Sequence, residues 1–357
     1  MPERHSASTF LTLRAQGMPV LDVRSPAEFA KGSVPGALNL PVLDNEARAA
    51  VGTCYAQEGQ EAAVKLGLSL VGPHMASMLE EVATMQGGTR DVLLYCWRGG
   101  MRSGSMAWLL ETAGYTPHLL DGGYKGYRTH IRQTFTRPAT ILVLGGMTGC
   151  GKTDILHALH DLGCQVVDLE GLANHRGSAF GSIGLGRQPT NETFENRLFD
   201  LWQGFDPARP IWMEDESLHI GSVTLCAEFF HHIATSRVVE IDLPHSHRVA
   251  RLVAEYSQVS GCPADEQAMR HALDKIQTRL GGLTHSRCVQ ALAQHDYAAV
   301  AAMLLGYYDK AYKHHGERLG QRCVHRINAT HDDPGAIARL LATQEAALAT
   351  LPLPDSR

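Results

Sequence analysis

The most constraining feature of the 357-residue chain is Gly146-Met147-Thr148-Gly149-Cys150-Gly151-Lys152-Thr153, a G-x-x-x-x-G-K-T sequence. An apolar run, Thr140-Ile141-Leu142-Val143-Leu144, enters it, and a helix-like stretch over residues 154–162 leaves it. Strand, glycine-rich loop and helix in that order are the setting a phosphate-binding loop requires. Gly146, Gly149 and Gly151 let successive backbone N–H groups wrap a diphosphate at a helix N-terminus, where partial positive charge gathers. Lys152 is placed to reach the outer phosphate, and Thr153 to hold Mg²⁺ where a metal accompanies the ligand. Cys150 reads as a spacer.

The chain downstream of this loop must be compatible with a parallel α/β sheet. The runs Gln165-Val166-Val167-Asp168, Ile211-Trp212-Met213 and Arg237-Val238-Val239-Glu240-Ile241-Asp242 supply its strands. The second of these ends at Glu214-Asp215-Glu216-Ser217, and carboxylates at a strand end facing such a loop can order Mg²⁺ or a water. Glu214 and Asp215 are the candidates. Residues 174–184 are too rich in Gly and Ser for a core element and are expected to form a mobile functional loop, with Arg176 as its anion ligand. From Pro244 to the C-terminus the pattern reads as helical, its apolar stripes serving as packing surface.

A second anion site is expected upstream. Asp91-Val92-Leu93-Leu94-Tyr95 reads as a buried strand, followed by Cys96-Trp97-Arg98-Gly99-Gly100-Met101-Arg102-Ser103 and a helix-like run. Backbone N–H groups of such a loop can converge into an anion-binding nest, with Cys96 at its mouth. Arg98, Arg102 and the helix N-terminus add positive potential, which favours thiolate over thiol. Earlier strands are read at Val20-Leu21-Asp22-Val23 and Leu38-Asn39-Leu40-Pro41, and a later one at Pro117-His118-Leu119-Leu120. Ser25-Pro26 with Glu28 is a capping box opening a helix. Helices are expected over residues 58–66 and 75–85. A ligand crevice should lie at the carboxyl ends of these strands, where Cys96 falls.

The length suggests two domains. We place the first over 1–130, a basic connector over 131–138, and the second over 139–357. Lys125, Arg128, Arg132 and Arg137, with Arg102 nearby, can meet a phosphate backbone or simply form a solvated linker helix. Net charge is −5, so any nucleic-acid contact must use a local patch. Eight cysteines without a CxxC pair argue against a zinc site or a disulfide framework, and Cys54, Cys164, Cys226, Cys262, Cys288 and Cys323 read as buried small hydrophobes. His231-His232, His245/His247 and His314-His315 fit no metal-ligand pattern. No signal peptide is visible and no run of about 18 apolar residues spans a bilayer, so a cytoplasmic location without membrane contact is expected.

Two resemblances extend this reading. Leu21-Asp22-Val23-Arg24-Ser25-Pro26-Ala27-Glu28-Phe29, Gly32-Ser33-Val34-Pro35-Gly36-Ala37 and the cysteine loop resemble a rhodanese domain. Common sulfurtransferase loops place the arginine five positions after the cysteine. Here Arg102 is six away, as in Cys-x5-Arg phosphatases, and the cradle is suited to a larger, tetrahedral anion. With Leu120-Asp121-Gly122-Gly123-Tyr124-Lys125-Gly126-Tyr127-Arg128, His175-Arg176-Gly177-Ser178-Ala179-Phe180-Gly181 and Trp212-Met213-Glu214-Asp215-Glu216-Ser217, the whole chain resembles the tRNA 2-selenouridine synthase family. That resemblance implies a rhodanese-like α/β domain followed by a P-loop NTPase-like α/β domain with a helical C-terminal part. It implies a tRNA substrate carrying 2-thiouridine at the wobble position, with selenophosphate and geranyl diphosphate as co-substrates and no tightly bound cofactor. A selenophosphate-producing enzyme is the implied protein partner. By the same resemblance, geranyl is transferred to the sulfur at the P-loop. Selenium then enters through a selenylated Cys96 as phosphate leaves, in a cradle formed with Trp97, Gly99, Gly100, Met101 and Ser103. Residues alone leave open a sulfur-only tRNA transferase, a small-molecule kinase fused to a Cys-based phosphatase, and a nucleotide-gated RNA-binding adaptor.

Overall fold

The computed structural model describes residues 2–85, 88–259 and 263–354. The chain forms two compact units, Met1–Phe135 with Glu195–Arg197, and Thr136–Phe194 with Leu198–Arg357.

The first unit is built on five parallel strands: β1 (Glu3–His5), β2 (Val20–Asp22), β3 (Leu38–Asn39), β4 (Asp91–Tyr95) and β5 (Thr116–Leu120), in the order β1-β5-β4-β2-β3. β4 is central because its Val92, Leu93 and Leu94 are apolar on both faces, as a strand covered on both sides must be. Its side chains join Leu21, Val23, Met106, Leu110 and Leu119 in one buried cluster. β1 adds a strand to those expected; its three residues, two of them exposed, carry no readable alternation.

The helix expected over 58–66 is in fact two, Asn45–Glu58 and Gln60–Val71. They part at Gly59, whose φ of 89° few other residues adopt. The capping box forms as expected, with the Ser25 N–H donating to the Glu28 carboxylate at 3.1 Å. The stretch Gln60–Met85 meets the length and apolar composition of a membrane span. Gly72-Pro73 interrupts it, and its Ala63, Met78 and Val82 are buried in the unit.

The expected basic connector is largely a helix, Gly123–Phe135. Ile131, Thr134 and Phe135 are buried, while Lys125, Arg132 and Arg137 stay exposed.

The second unit has the parallel strands β6 (Ile141–Gly146), β7 (Gln165–Val167), β8 (Ile211–Glu214), β11 (Arg237–Asp242) and β12 (Cys323–Asn328), in the order β12-β11-β6-β8-β7. A small antiparallel pair, β9 (His219–Ile220) and β10 (Val223–Thr224), lies between β8 and β11 in sequence. β12 corrects the reading of everything after Pro244 as helical. It is a half-buried edge strand whose exposed Arg326 pairs with Glu240 at 2.6 Å, so it lacks an apolar run. The last helix, Pro334–Thr350, packs Ala338 and Leu341 with Leu156 and Leu159 of the helix Lys152–Asp161. Cys54, Cys164 and Cys288 are buried as expected, but Cys226 and Cys323 are only half-buried. Cys262 lies outside the described residues.

Candidate active site

The cysteine loop joins β4 to the helix Met101–Thr112. Cys96 lies at its floor rather than its mouth, 3% exposed, while Arg98, Gly100 and Met101 are exposed. Its Sγ is 3.2 Å from the Ser103 hydroxyl. Burial pushes the thiol up. The Ser103 hydroxyl and the N–H groups of Ser103, Arg98 and Gly100 more than offset this, leaving Cys96 below its ordinary value. The reactive thiolate is thus stabilised by hydrogen bonds aimed at one point. Replacing Ser103 with alanine removes the strongest of these, so the pH midpoint of Cys96 alkylation should rise. At neutral pH the alkylation rate should fall by about 3–10-fold, given that most thiols stay protonated there.

The loop is held from below. The carbonyls of Cys96 and Trp97 accept from the Tyr124 and Lys125 N–H groups at 2.8 and 2.9 Å. Gly123, at φ 60°, makes that approach feasible, since a Cβ there would lie 2.4 Å from both the Cys96 oxygen and the Gly99 nitrogen. Gly123→Ala should therefore destabilise the unit by about 2–4 kcal/mol, combining left-handed strain with overpacking against backbone. Denaturant melts of the variant against wild type check this. Arg4, which belongs to no sequence motif, donates to the Gly99 carbonyl at 2.9 Å. Trp97 is half-buried with its ring 5.8 Å from that of Tyr124.

Of the two expected arginines, only Arg98 is exposed and without a side-chain partner among the described residues. Arg102 is engaged with Glu28 through two bonds, at 2.5 and 3.1 Å. Burial raises the Glu28 carboxyl, but the Arg102 pair, the Ser25 N–H and Arg48 bring it below the usual carboxylate range. Arg102 is therefore a charge already matched, which corrects its reading as a free anion ligand.

In the second unit β6 delivers the phosphate-binding loop, with Gly146, Gly149 and Gly151 all at positive φ and Gly151 ahead of the helix Lys152–Asp161. Lys152 Nζ donates to the Gly146 carbonyl at 3.0 Å. Burial lowers its affinity for a proton, but Cys150, Glu170, Tyr312 and Glu216 outweigh this and hold it charged. The Tyr312 hydroxyl accepts the Gly146 N–H at 2.9 Å. Two arginines from the helix His245–Val259 brace the loop, a role its apolar stripe concealed. Buried Arg248 donates to the Thr148 carbonyl at 3.2 Å and grips Asp309 through two bonds. Arg251 pairs with Asp154 and Asp332, and its guanidinium would meet a Cβ at Gly151 at 2.8 Å.

The carboxylates differ from expectation. Asp215 pairs with Arg322 at 3.4 Å. Glu214 is buried, accepts the Glu170 N–H at 2.9 Å, and leaves its other oxygen without a partner among the described residues. Burial, then Asp168 and Glu170, raises Glu214 well above the carboxylate range. Glu170, likewise outside any motif, accepts from the Thr153 hydroxyl at 3.2 Å. Burial and Glu170 push Glu216 up to about 8. A carboxyl raised on folding stabilises the protein below the unfolded value, and that stability is lost as pH rises toward the folded one. Glu216→Gln should therefore flatten the fall in melting temperature between about pH 4.5 and pH 8, as thermal scans can read.

Residues 174–184 are anchored rather than free. Arg176 donates to the Ile183 carbonyl at 2.9 Å and pairs with Glu255 at 2.8 Å, so it is not an open anion ligand. Phe180 and Ile183 are buried with Leu252, Leu273 and Leu304. Gly177 passes so near Glu170 and Glu216 that a Cβ would lie 2.5 and 2.8 Å from their oxygens. The phosphate-binding loop and this segment line one open cavity of about 1930 Å³. Its wall also carries Leu218, Leu252, Phe230, Tyr307 and Tyr308.

Comparison with known proteins agrees with this architecture. Residues 6–130 match the family model of the rhodanese-like domain, and residues 139–344 match that of the tRNA 2-selenouridine synthase AAA domain. A tRNA 2-selenouridine synthase from Bordetella petrii is 36% identical over 95% of this chain and 99% of its own length. One from Shewanella loihica is 35% identical, covering 89% and 92% of the two chains. One from Nitrosomonas europaea is 41% identical, covering 73% and 70%. With near full-length identity of this order on top of a rhodanese-like unit and a P-loop unit, the chain belongs to the tRNA 2-selenouridine synthase family.

Proposed function

We propose that this protein is an enzyme that modifies tRNA, converting wobble 2-thiouridine to 2-selenouridine with geranyl diphosphate and selenophosphate as co-substrates. The observation that carries the reading is a pair of anion cradles of different chemistry. One surrounds the Cys96 thiol with a hydroxyl and N–H groups that bring it below its ordinary value; the other pairs a phosphate-binding loop with an apolar wall in the same cavity.

In the P-loop cavity the thiouridine sulfur attacks the first geranyl carbon, forming a C–S bond as the C–O bond to diphosphate breaks. Lys152 and the loop N–H groups receive the charge that develops on the departing diphosphate. Leu218, Tyr307 and Tyr308 on the cavity wall offer apolar surface for the prenyl chain. Thr153 and Glu170, which line the cavity, would offer oxygen donors to Mg²⁺, whereas buried Glu214 does not reach its wall. When bound, the ion supplies neutralising charge to the diphosphate.

At Cys96, electron balance decides what the thiolate attacks. Attack on the selenium of selenophosphate forms an Sγ–Se bond and leaves the P–Se pair on phosphorus, so a phosphorus(III) species departs, not phosphate. Attack on phosphorus forms an Sγ–P bond and releases selenide without any change of oxidation state. Selenide then adds at C2 of the geranylated base, geranylthiolate leaves, and water hydrolyses the S-phosphocysteine to phosphate. The ring of N–H donors and the exposed Arg98 suit the second course. Mass spectrometry of the Cys96 peptide, quenched after exposure to selenophosphate, tests this. A phosphoryl adduct supports it, a selenium adduct restores the selenylated cysteine, and an unmodified peptide at every time point removes Cys96 as nucleophile.

A further inference from the structure

Strand β1 carries a side-chain group that neither cradle uses. Glu3 and His5 are two residues apart and so share a face of the sheet, and Glu3 is in register with His118 of β5. His5 Nε2 lies 3.0 Å from His118 Nδ1, and the two nitrogens are 3.8 and 3.9 Å from one Glu3 carboxylate oxygen. Among the described residues this is the one group of His, Cys, Asp or Glu with three ligand atoms so close together.

We infer that Glu3, His5 and His118 bind one divalent cation of the zinc class, which clamps β1 to the sheet. The point equidistant from three atoms so spaced lies about 2.1 Å from each, within the range for zinc bound to imidazole nitrogen and carboxylate oxygen. Both imidazole side chains are close to buried, at 10% and 13% exposure, whereas Glu3 is 71% exposed, so the remaining coordination position faces water. The far nitrogen of His118 is 3.2 Å from Asp91 on β4, on the same face. A carboxylate behind a ligating histidine fixes its tautomer and raises its basicity, the usual outer partner of a metal-bound imidazole.

The clamp has a consequence for the cysteine loop. Arg4, between the two β1 ligands, points to the opposite face and holds the Gly99 carbonyl. A cation that fixes β1 therefore also fixes a support of the loop around Cys96.

The test uses the full chain stripped with chelator and titrated calorimetrically with ZnCl₂, then with CoCl₂ for its visible spectrum. The expected result is one zinc per chain, a four-coordinate cobalt spectrum without a thiolate charge-transfer band, and a higher melting temperature with zinc. Glu3→Gln, at an exposed position, should keep the metal-free melting temperature and weaken zinc binding at least tenfold. Asp91→Asn should weaken it by about 10–100-fold, the range for loss of an outer partner. Zinc binding of equal affinity and stoichiometry in Glu3→Gln and wild type, a thiolate-dominated cobalt spectrum, or no zinc bound at all would each overturn the proposal.

Discussion

Replacing Cys96 with alanine should reduce selenium incorporation into tRNA by at least about 10³-fold, the scale on which loss of an essential nucleophile is felt. Geranyl transfer should continue, so S-geranyl-2-thiouridine accumulates instead of 2-selenouridine. The reasoning is local. Sγ is the atom on which the Ser103 hydroxyl and three backbone N–H groups converge, and alanine leaves those donors with nothing to stabilise. Cys96→Ser is the sharper control, because it keeps a polar atom at the same place but its hydroxyl stays protonated at neutral pH. Nucleoside analysis of tRNA after single turnover reads both outcomes. Failure of the geranyl adduct to form in Cys96→Ala would show that the first step also needs this loop.

Lys152→Ala should give the opposite defect, with geranyl transfer reduced by about 10²–10³-fold, as when one preorganised charge-stabilising donor is removed. Lys152 is the cation set among Glu170, Glu216 and Tyr312, and it closes the loop onto the Gly146 carbonyl. Its loss leaves the departing diphosphate facing acidic side chains. Selenation of tRNA that already carries the S-geranyl group should proceed at close to the wild-type rate. That contrast separates a lost catalytic charge from a misfolded protein. Normal geranyl transfer by the variant would take the phosphate-binding loop out of the reaction.

Both loops are legible in the sequence because each is contiguous. Gly146 to Thr153 and Cys96 to Ser103 carry their own glycines, charges and flanking strand, so spacing along the chain is also spacing in space. Chain order hides everything supplied from a distance. Glu28 takes Arg102 across 74 positions, Arg248 reaches Thr148 across 100, and Tyr312 meets Gly146 across 166. Arg102 and Arg176 look like anion ligands because a sequence shows a charge but not the carboxylate that answers it. β1 and β12 escape notice for a related reason: edge strands need only one buried face, and short half-polar segments show no apolar run. Gly59 and Gly123 are visible as glycines, but why each must be glycine depends on φ and on backbone brought near by other elements.

The most direct test of the two-cradle account is mass spectrometry of wobble nucleosides from thiolated tRNA incubated with the purified protein. Geranyl diphosphate alone should yield only S-geranyl-2-thiouridine, and adding selenophosphate should convert it to 2-selenouridine. Formation of 2-selenouridine from selenophosphate without geranyl diphosphate would contradict the account, as would a geranylated base that selenophosphate leaves unchanged.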